Sequence, residues 1–135
     1  MLRFVVGVFV ALHGLVHLLY VGQSSRLFKL QPGMLWPSDS WAFSRLVKEE
    51  TTYSLASISY TVIALGFIAS GAGLLAGQAW WRPITAGAAV ASAVMVFLFW
   101  NGRMEKLSDQ GAIALLINVG ILAALFVFRW PIFEL

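Results

Sequence analysis

Four stretches of the chain carry no charged residue: 4–25, 51–81, 83–102 and 110–128, which are 22, 31, 20 and 19 residues long. Each is close to, or beyond, the roughly 20 apolar residues that carry an α-helix across a bilayer's hydrocarbon core. The pattern predicts an all-α protein, a polytopic membrane four-helix bundle formed as a single transmembrane domain over 1–135. Its helices are expected at about 4–22, 53–77, 83–100 and 111–128. Pro83 suits a first helical turn, where its missing N–H costs nothing, and Pro131 closes the last helix.

In lipid only helices and closed barrels satisfy their own backbone. Barrel strands would alternate in short segments of about ten residues. Here the apolar runs are solid, with small residues at helical spacing instead. Gly7, Ala11 and Gly14 share one side of helix 1, and Ser59, Gly66, Ser70, Gly73 and Gly77 one side of helix 2. Gly87, Ala88, Ala91 and Ser92 cluster on helix 3. Such residues let membrane helices approach closely and gain dispersion contacts. The start of the chain also has the outline of a signal peptide, with Gly22-Gln23-Ser24 as a small-x-small site; we read it as a retained spanning helix.

Composition agrees. The chain is 60% hydrophobic and 11% charged, against about 25% charged in soluble domains. A soluble enzyme, a nucleic-acid-binding module and a disordered tail are excluded. The net charge of +3 comes from basic residues that sit beside the spans, where they set orientation. Loop 1 (23–52) and loop 3 (101–110) hold Arg26, Lys29, Arg45, Lys48, Arg103 and Lys106, against Arg3, Arg82 and Arg129 on the other side. Six against three predicts loops 1 and 3 in the cytoplasm and both termini outside. Trp80, Trp81, Trp100 and Trp130 fit interfacial belts. With no cysteine, disulfides, thiol chemistry and thiolate-held metals are absent.

Loop 1 is the one sizeable extramembrane piece. Gln31-Pro32-Gly33 reads as a turn, and Trp36-Pro37 as an extended bend. Ser38 or Ser40 is then expected to cap a short interfacial helix over 40–50, with Trp36, Trp41, Phe43 and Leu46 making the segment amphipathic. It would cover one mouth of the bundle or dock a partner subunit. In loop 3, Asp109 is a candidate cap for helix 4, Glu105 can pair with Arg103 or Lys106, and a headgroup or carboxylate site beside Arg103 competes with a plain solvated turn.

Polar groups at membrane depth are functional candidates when a partner can be named. His13 and His17 stand one turn apart on one face of helix 1, continued by Tyr20. Helix 2 offers Ser57 and Tyr60, and helix 4 offers Asn118. The candidate ligand-binding set is therefore His13, His17, Ser57, Tyr60 and Asn118. One reading is a metal site, but two imidazoles need further ligands and the charge-free runs hold no carboxylate, so no metal is assigned. A haem held by both histidines would need them on opposite faces. A membrane pocket in which imidazole, Tyr and Ser hydrogen-bond a quinone carbonyl or relay a proton is a further reading. The plainest is interhelical glue, with neutral imidazoles bonded to side chains or backbone.

The pattern Arg3-x3-Gly7-x-Phe9-x3-His13-Gly14 resembles the opening of the DoxX/DoxD-like family of small four-helix membrane proteins. The matching positions are Arg3, Gly7, His13 and Gly14. The chain departs from the family in having His17 where a lysine is expected, an aromatic one position early at Phe9, and a longer, tryptophan-rich loop 1. The resemblance implies a bacterial inner-membrane protein, in some members linked to quinone-coupled sulfur or redox-stress chemistry. The functional expectation is accordingly a DoxX-like membrane protein without catalysis of its own, associated with quinone as cofactor. The alternative is an accessory structural subunit of a larger respiratory or photosynthetic complex. Expected partners are the bilayer, other membrane subunits or further copies of the chain, and no nucleic acid. A small multidrug-type exporter is disfavoured, because no carboxylate lies within a span.

Overall fold

The computed structural model describes residues 1–133, and these are helical with no strand. Helix α1 runs Leu2–Ser24, α2 Glu49–Leu75, α3 Trp81–Phe99 and α4 Ala112–Leu122, the last widening into a π-turn at Ala123–Val127. The first three are long and apolar enough to cross a membrane. Helix α4 with its π-turn, Ala112–Val127, is shorter than that. At 1.5 Å per residue it spans only about 24 Å of a roughly 30 Å core.

The fourth helix starts where expected for a physical reason. Gly111, its N-cap, adopts φ 99°, and a Cβ there would sit 2.7 Å from Val96. Asp109 does not cap α4; it belongs to a single 3₁₀ turn, Leu107–Gln110, that precedes Gly111.

The helices pack in chain order, α1 on α2, α2 on α3, α3 on α4. The α1–α2 seam is the tightest. A Cβ on Gly71 would lie 2.6 Å from the Gly7 carbonyl and 2.8 Å from Ala11 N, and one on Gly14 would lie 2.8 Å from the Ala64 carbonyl. Helix 1's small face is thus its seat on α2, as its spacing predicts. On α2, that seat is made by Ala64 and Gly71; the Gly66–Ser70 side meets α3 instead, through Ala88 and the Ser70–Thr85 hydroxyl pair.

Loop 1 corrects the expected interfacial helix over 40–50. Residues 41–46 form consecutive turns, and helix begins only at Glu49. The segment is held by a different use of its donors. The last carbonyls of α3 have no partner within the helix, and loop 1 supplies donors to two of them and to the C-cap: Trp41 Nε1 to Phe97 O at 2.7 Å, Ser40 Oγ to Leu98 O at 2.6 Å, and Trp41 N to Trp100 O at 2.8 Å. Ser40 Oγ also accepts from Phe43 N, so it caps a turn, not a helix. Buried Gln23 pins the loop's other arm, accepting from Leu30 N and donating to Trp36 O. Trp36 does not lie on the surface but plugs the bundle mouth, packed against Tyr20, Tyr60 and Phe99.

Loop 3 meets loop 1 through Asn101 Nδ2 to Asp39 Oδ2 at 3.1 Å, so both loops close the same end. At the opposite end Arg82 donates to Leu125 O in the π-turn and to Pro131 O beyond it, tying the end of the chain's last helix to α3.

Candidate functional site

A ring of polar side chains occupies the middle of the bundle. His13 is 4% exposed, and His17, Ser92 and Asn118 are each 0% exposed. His13 Nε2 lies 2.8 Å from Asn118 Oδ1, Asn118 Nδ2 is 2.7 Å from Ser92 Oγ, and Ser92 Oγ is 2.7 Å from His17 Nε2. His17 Nδ1 returns to the His13 carbonyl at 2.9 Å.

One contact sets the direction of all the others. A carbonyl only accepts, so His17 Nδ1 carries the proton. With a neutral ring, His17 Nε2 then accepts, and the single Ser92 hydroxyl proton must go to it. Ser92 can only accept from Asn118, which turns the Asn118 amide nitrogen to Ser92 and its oxygen to His13. His13 therefore donates from Nε2. Two neutral imidazoles of opposite tautomer close the circuit, and no charge is needed at a depth where charge is expensive.

The circuit also joins α1 to helices that its backbone hardly approaches. Helix α1 meets α4 through His13–Asn118 and α3 through His17–Ser92, while direct backbone proximity between α1 and α4 is slight. Phe67 of α2 closes the fourth side, its ring centroid 4.7 Å from that of His13 and 5.3 Å from that of His17.

Of the predicted residues, His13, His17 and Asn118 are brought together. Ser57 is not with them: it bonds Ser24 Oγ at 2.8 Å and Ser25 Oγ at 3.1 Å at the loop end of the bundle. Tyr60 stacks near His17, centroids 6.2 Å apart, but its buried hydroxyl has no hydrogen-bond partner. Ser92 completes the circuit, although its spacing in the sequence points only to a small packing residue. Its signal was depth. Counted from the helix ends at loops 1 and 3, His17 lies seven residues in from Ser24, Ser92 seven from Phe99 and Asn118 six from Ala112. Among the described residues no three His, Asp or Glu side chains gather as a metal site would require.

An apolar concavity lies elsewhere. A groove of about 490 Å³ opens laterally between α1 and α4, walled by Val5, Phe9 and Val10 on one side and Ile117, Gly120 and Ala124 on the other. Trp130 and Pro131 stand at its end. Phe9, on the groove wall, lies nearly parallel to the His13 ring, centroids 6.3 Å apart.

This architecture defines a class, an all-helical membrane protein with three helices able to cross the bilayer. No protein-family model, curated protein or solved structure matches the chain. What narrows the class further is the chain's own geometry.

Proposed function

We propose that this protein is a small accessory protein of a bacterial inner membrane, DoxX-like in outline, that performs no reaction alone and works by receiving a membrane partner in its α1–α4 groove. The observation that carries this reading is a division of labour. His13, His17, Ser92 and Asn118 hydrogen-bond one another in a closed circuit, whereas the α1–α4 groove is apolar and open to the side. Loops 1 and 3 face the cytoplasm in this reading, because six basic residues flank their end and three the other. One of those three, Arg82, is committed to backbone carbonyls.

A quinone-linked role is the second reading, and one observation favours it. The groove's volume falls in the ligand-pocket range of about 300–1,000 Å³, and Phe9 on its wall lies parallel to the His13 ring, centroids 6.3 Å apart. A quinone ring there would sit beside the polar circuit rather than inside it.

Photo-crosslinkers placed at Val5 and Ile117, on the groove walls, and at Val62 and Val94, exposed residues of α2 and α3, test both readings in native membranes. The accessory reading expects one discrete protein adduct from Val5 and Ile117 that is absent from Val62 and Val94. A quinone adduct confined to the groove positions would replace it with the second reading. Lipid adducts alone at all four positions would overturn both.

A further inference from the structure

Helix α2 rises above the end of α1 at the loop end of the bundle. Ser57 is level with Ser24, to which it bonds, whereas α2 begins at Glu49, eight residues earlier and about 12 Å farther out at 1.5 Å per residue. A recess of about 410 Å³ occupies this step, walled in part by Ser25, Arg26, Glu50, Tyr53, Ser54 and Ser57. Ser25, Arg26, Glu50 and Ser54 are exposed, so the wall they form is open to a ligand.

Arg26 stands where glycine is the usual residue. Leu27 N donates to Gly22 O and Arg26 N to Gln23 O, the paired bonds that close a helix through a left-handed residue, and Arg26 is that residue, with φ 59°. Glycine would take this conformation without steric penalty. What arginine adds is its guanidinium, 4.2 Å from the Tyr53 ring centroid and 3.5 Å from Glu49 Oε1. The hydroxyls are ordered as well. Ser24 donates to Val21 O at 3.2 Å, and Ser54 to Glu50 O at 3.0 Å. Ser57 must then donate to Ser24, and Ser25 to Ser57, so no hydroxyl proton is left over. Ser25 and Ser54 keep acceptor lone pairs, and Glu50 makes no ion pair among the described residues. A wall rich in acceptors, whose one cation is already shared with Glu49, suits a ligand with several N–H donors.

Position narrows the source. His17 and Ser92, bonded to each other, each lie seven residues from their helix ends, so Ser24 is level with Phe99 and the adjoining Trp100. Interfacial tryptophans mark the headgroup level of a bilayer. Ile58, at the membrane side of the recess, shares one face of α2 with Val62 and Leu65, and all three are exposed to lipid.

We propose that this step binds the primary ammonium of an ethanolamine phospholipid. The ammonium donates to Glu50 and to the lone pairs of Ser25 and Ser54, the phosphate lies beside Arg26, and an acyl chain runs along Ile58, Val62 and Leu65. A choline headgroup has no N–H for these acceptors, and a glycerol headgroup leaves Glu50 without a cation. The inference rests on the chain's place in the membrane and not on any occupant of the α1–α4 groove.

The test uses the full chain in detergent micelles, with thermal unfolding followed by tryptophan fluorescence. Short-chain phosphatidylethanolamine, phosphatidylcholine, phosphatidylglycerol and soluble O-phosphoethanolamine are each titrated. Phosphatidylethanolamine is expected to half-saturate at about tenfold lower concentration than phosphatidylcholine, a difference of about 1.4 kcal/mol. Glu50→Gln, at an exposed position, should remove that preference. Arg26→Gly relieves the left-handed backbone, so the lipid-free protein should melt no lower than the parent while its affinity for phosphatidylethanolamine falls. O-phosphoethanolamine lacks the chain that follows α2 and should bind more weakly than the lipid; equal binding would overturn the lipid assignment. Equal affinities for the ethanolamine and choline lipids, a phosphatidylglycerol preference, a Glu50→Gln protein that keeps its selectivity, or an Arg26→Gly protein that binds as the parent does would overturn the site.

Discussion

Helix α1 has two contrasting neighbours. Toward α2 it offers Gly7, Ala11 and Gly14, and backbone meets backbone so closely that a methyl group on Gly71 would overlap two main-chain atoms. Toward α4 it offers Val5, Phe9 and Val10, and the space between is a groove that a glycine, Gly120, leaves wide open. Glycine in a membrane helix thus serves opposite ends on two sides of one bundle. On the α2 side it permits close approach and dispersion contact where lipid supplies no hydrophobic drive. On the α4 side it makes room. The seam does the holding, and the groove, walled in part by Phe9, stays open beside it.

The same substitution at different glycines breaks this comparison most directly. Gly71→Ala should show the largest effect. Its methyl would lie 2.6 Å from Gly7 O and 2.8 Å from Ala11 N, backbone atoms that no rotamer change can move away. Overpacking of this kind costs about 1–3 kcal/mol, and here the upper end is expected. Gly14→Ala, against the Ala64 carbonyl at 2.8 Å, should follow closely. Gly7→Ala should cost less, because its nearest neighbour is the movable Leu75 side chain. Unfolding by SDS in mixed micelles gives the ranking. A Gly71→Ala protein as stable as the parent would mean that the seam is looser than described.

The polar circuit ranks next. It bridges α1 to α3 and α4 where direct packing is thin, so it is expected to contribute specificity more than bulk stability. A double-mutant cycle of His13→Leu and Asn118→Leu should give a coupling of about 0.6 kcal/mol, and no more than about 1.7 kcal/mol. Each single change should cost more than the coupling, since it leaves a buried partner unsatisfied. Nitrogen-15 spectra of the parent should show opposite tautomers, His13 protonated at Nε2 and His17 at Nδ1. Two identical tautomers would contradict the proton order derived from the His13 carbonyl.

Much of this was legible in the sequence. Charge-free runs located all four helices, because exclusion of charge from hydrocarbon is the strongest constraint acting on the chain. The His13–His17 face and Asn118 were legible for the same reason. Loop 1 was not. Trp36, Trp41 and Phe43 have the composition of an amphipathic helix, but their partners are the α3 carbonyls and the Tyr20–Tyr60 aromatic cluster. Nothing local in sequence encodes those contacts. Ser57 and Tyr60 match the histidines in residue type, yet α2 enters the bundle at Glu49, four residues before the expected start, and runs longer than its neighbours. Ser57 therefore falls level with Ser24 at the loop end, while Tyr60 lies beside His17 with its hydroxyl outside the circuit. Ser92 went unassigned because a serine at helical spacing from Ala88 serves packing equally well; only the shared loop end makes its depth meaningful.

The smallest expected effect lies on the open side and carries the most information about function. A Cβ on Gly120 meets nothing within 4 Å, so Gly120→Ala introduces no clash. Alanine also loses less backbone entropy than glycine in a helix, a difference of about 0.5–1 kcal/mol in its favour. Stability of the isolated protein in the SDS assay should therefore stay level or rise slightly, opposite in sign to Gly71→Ala. The added methyl nevertheless narrows the groove between Ile117 and Ala124. If the groove receives a close-packed partner, the crosslinks from Val5 and Ile117 should weaken in the Gly120→Ala protein although its own fold is firmer. A variant that gains stability and keeps those crosslinks in full would show that the open space beside Gly120 is not where the partner sits.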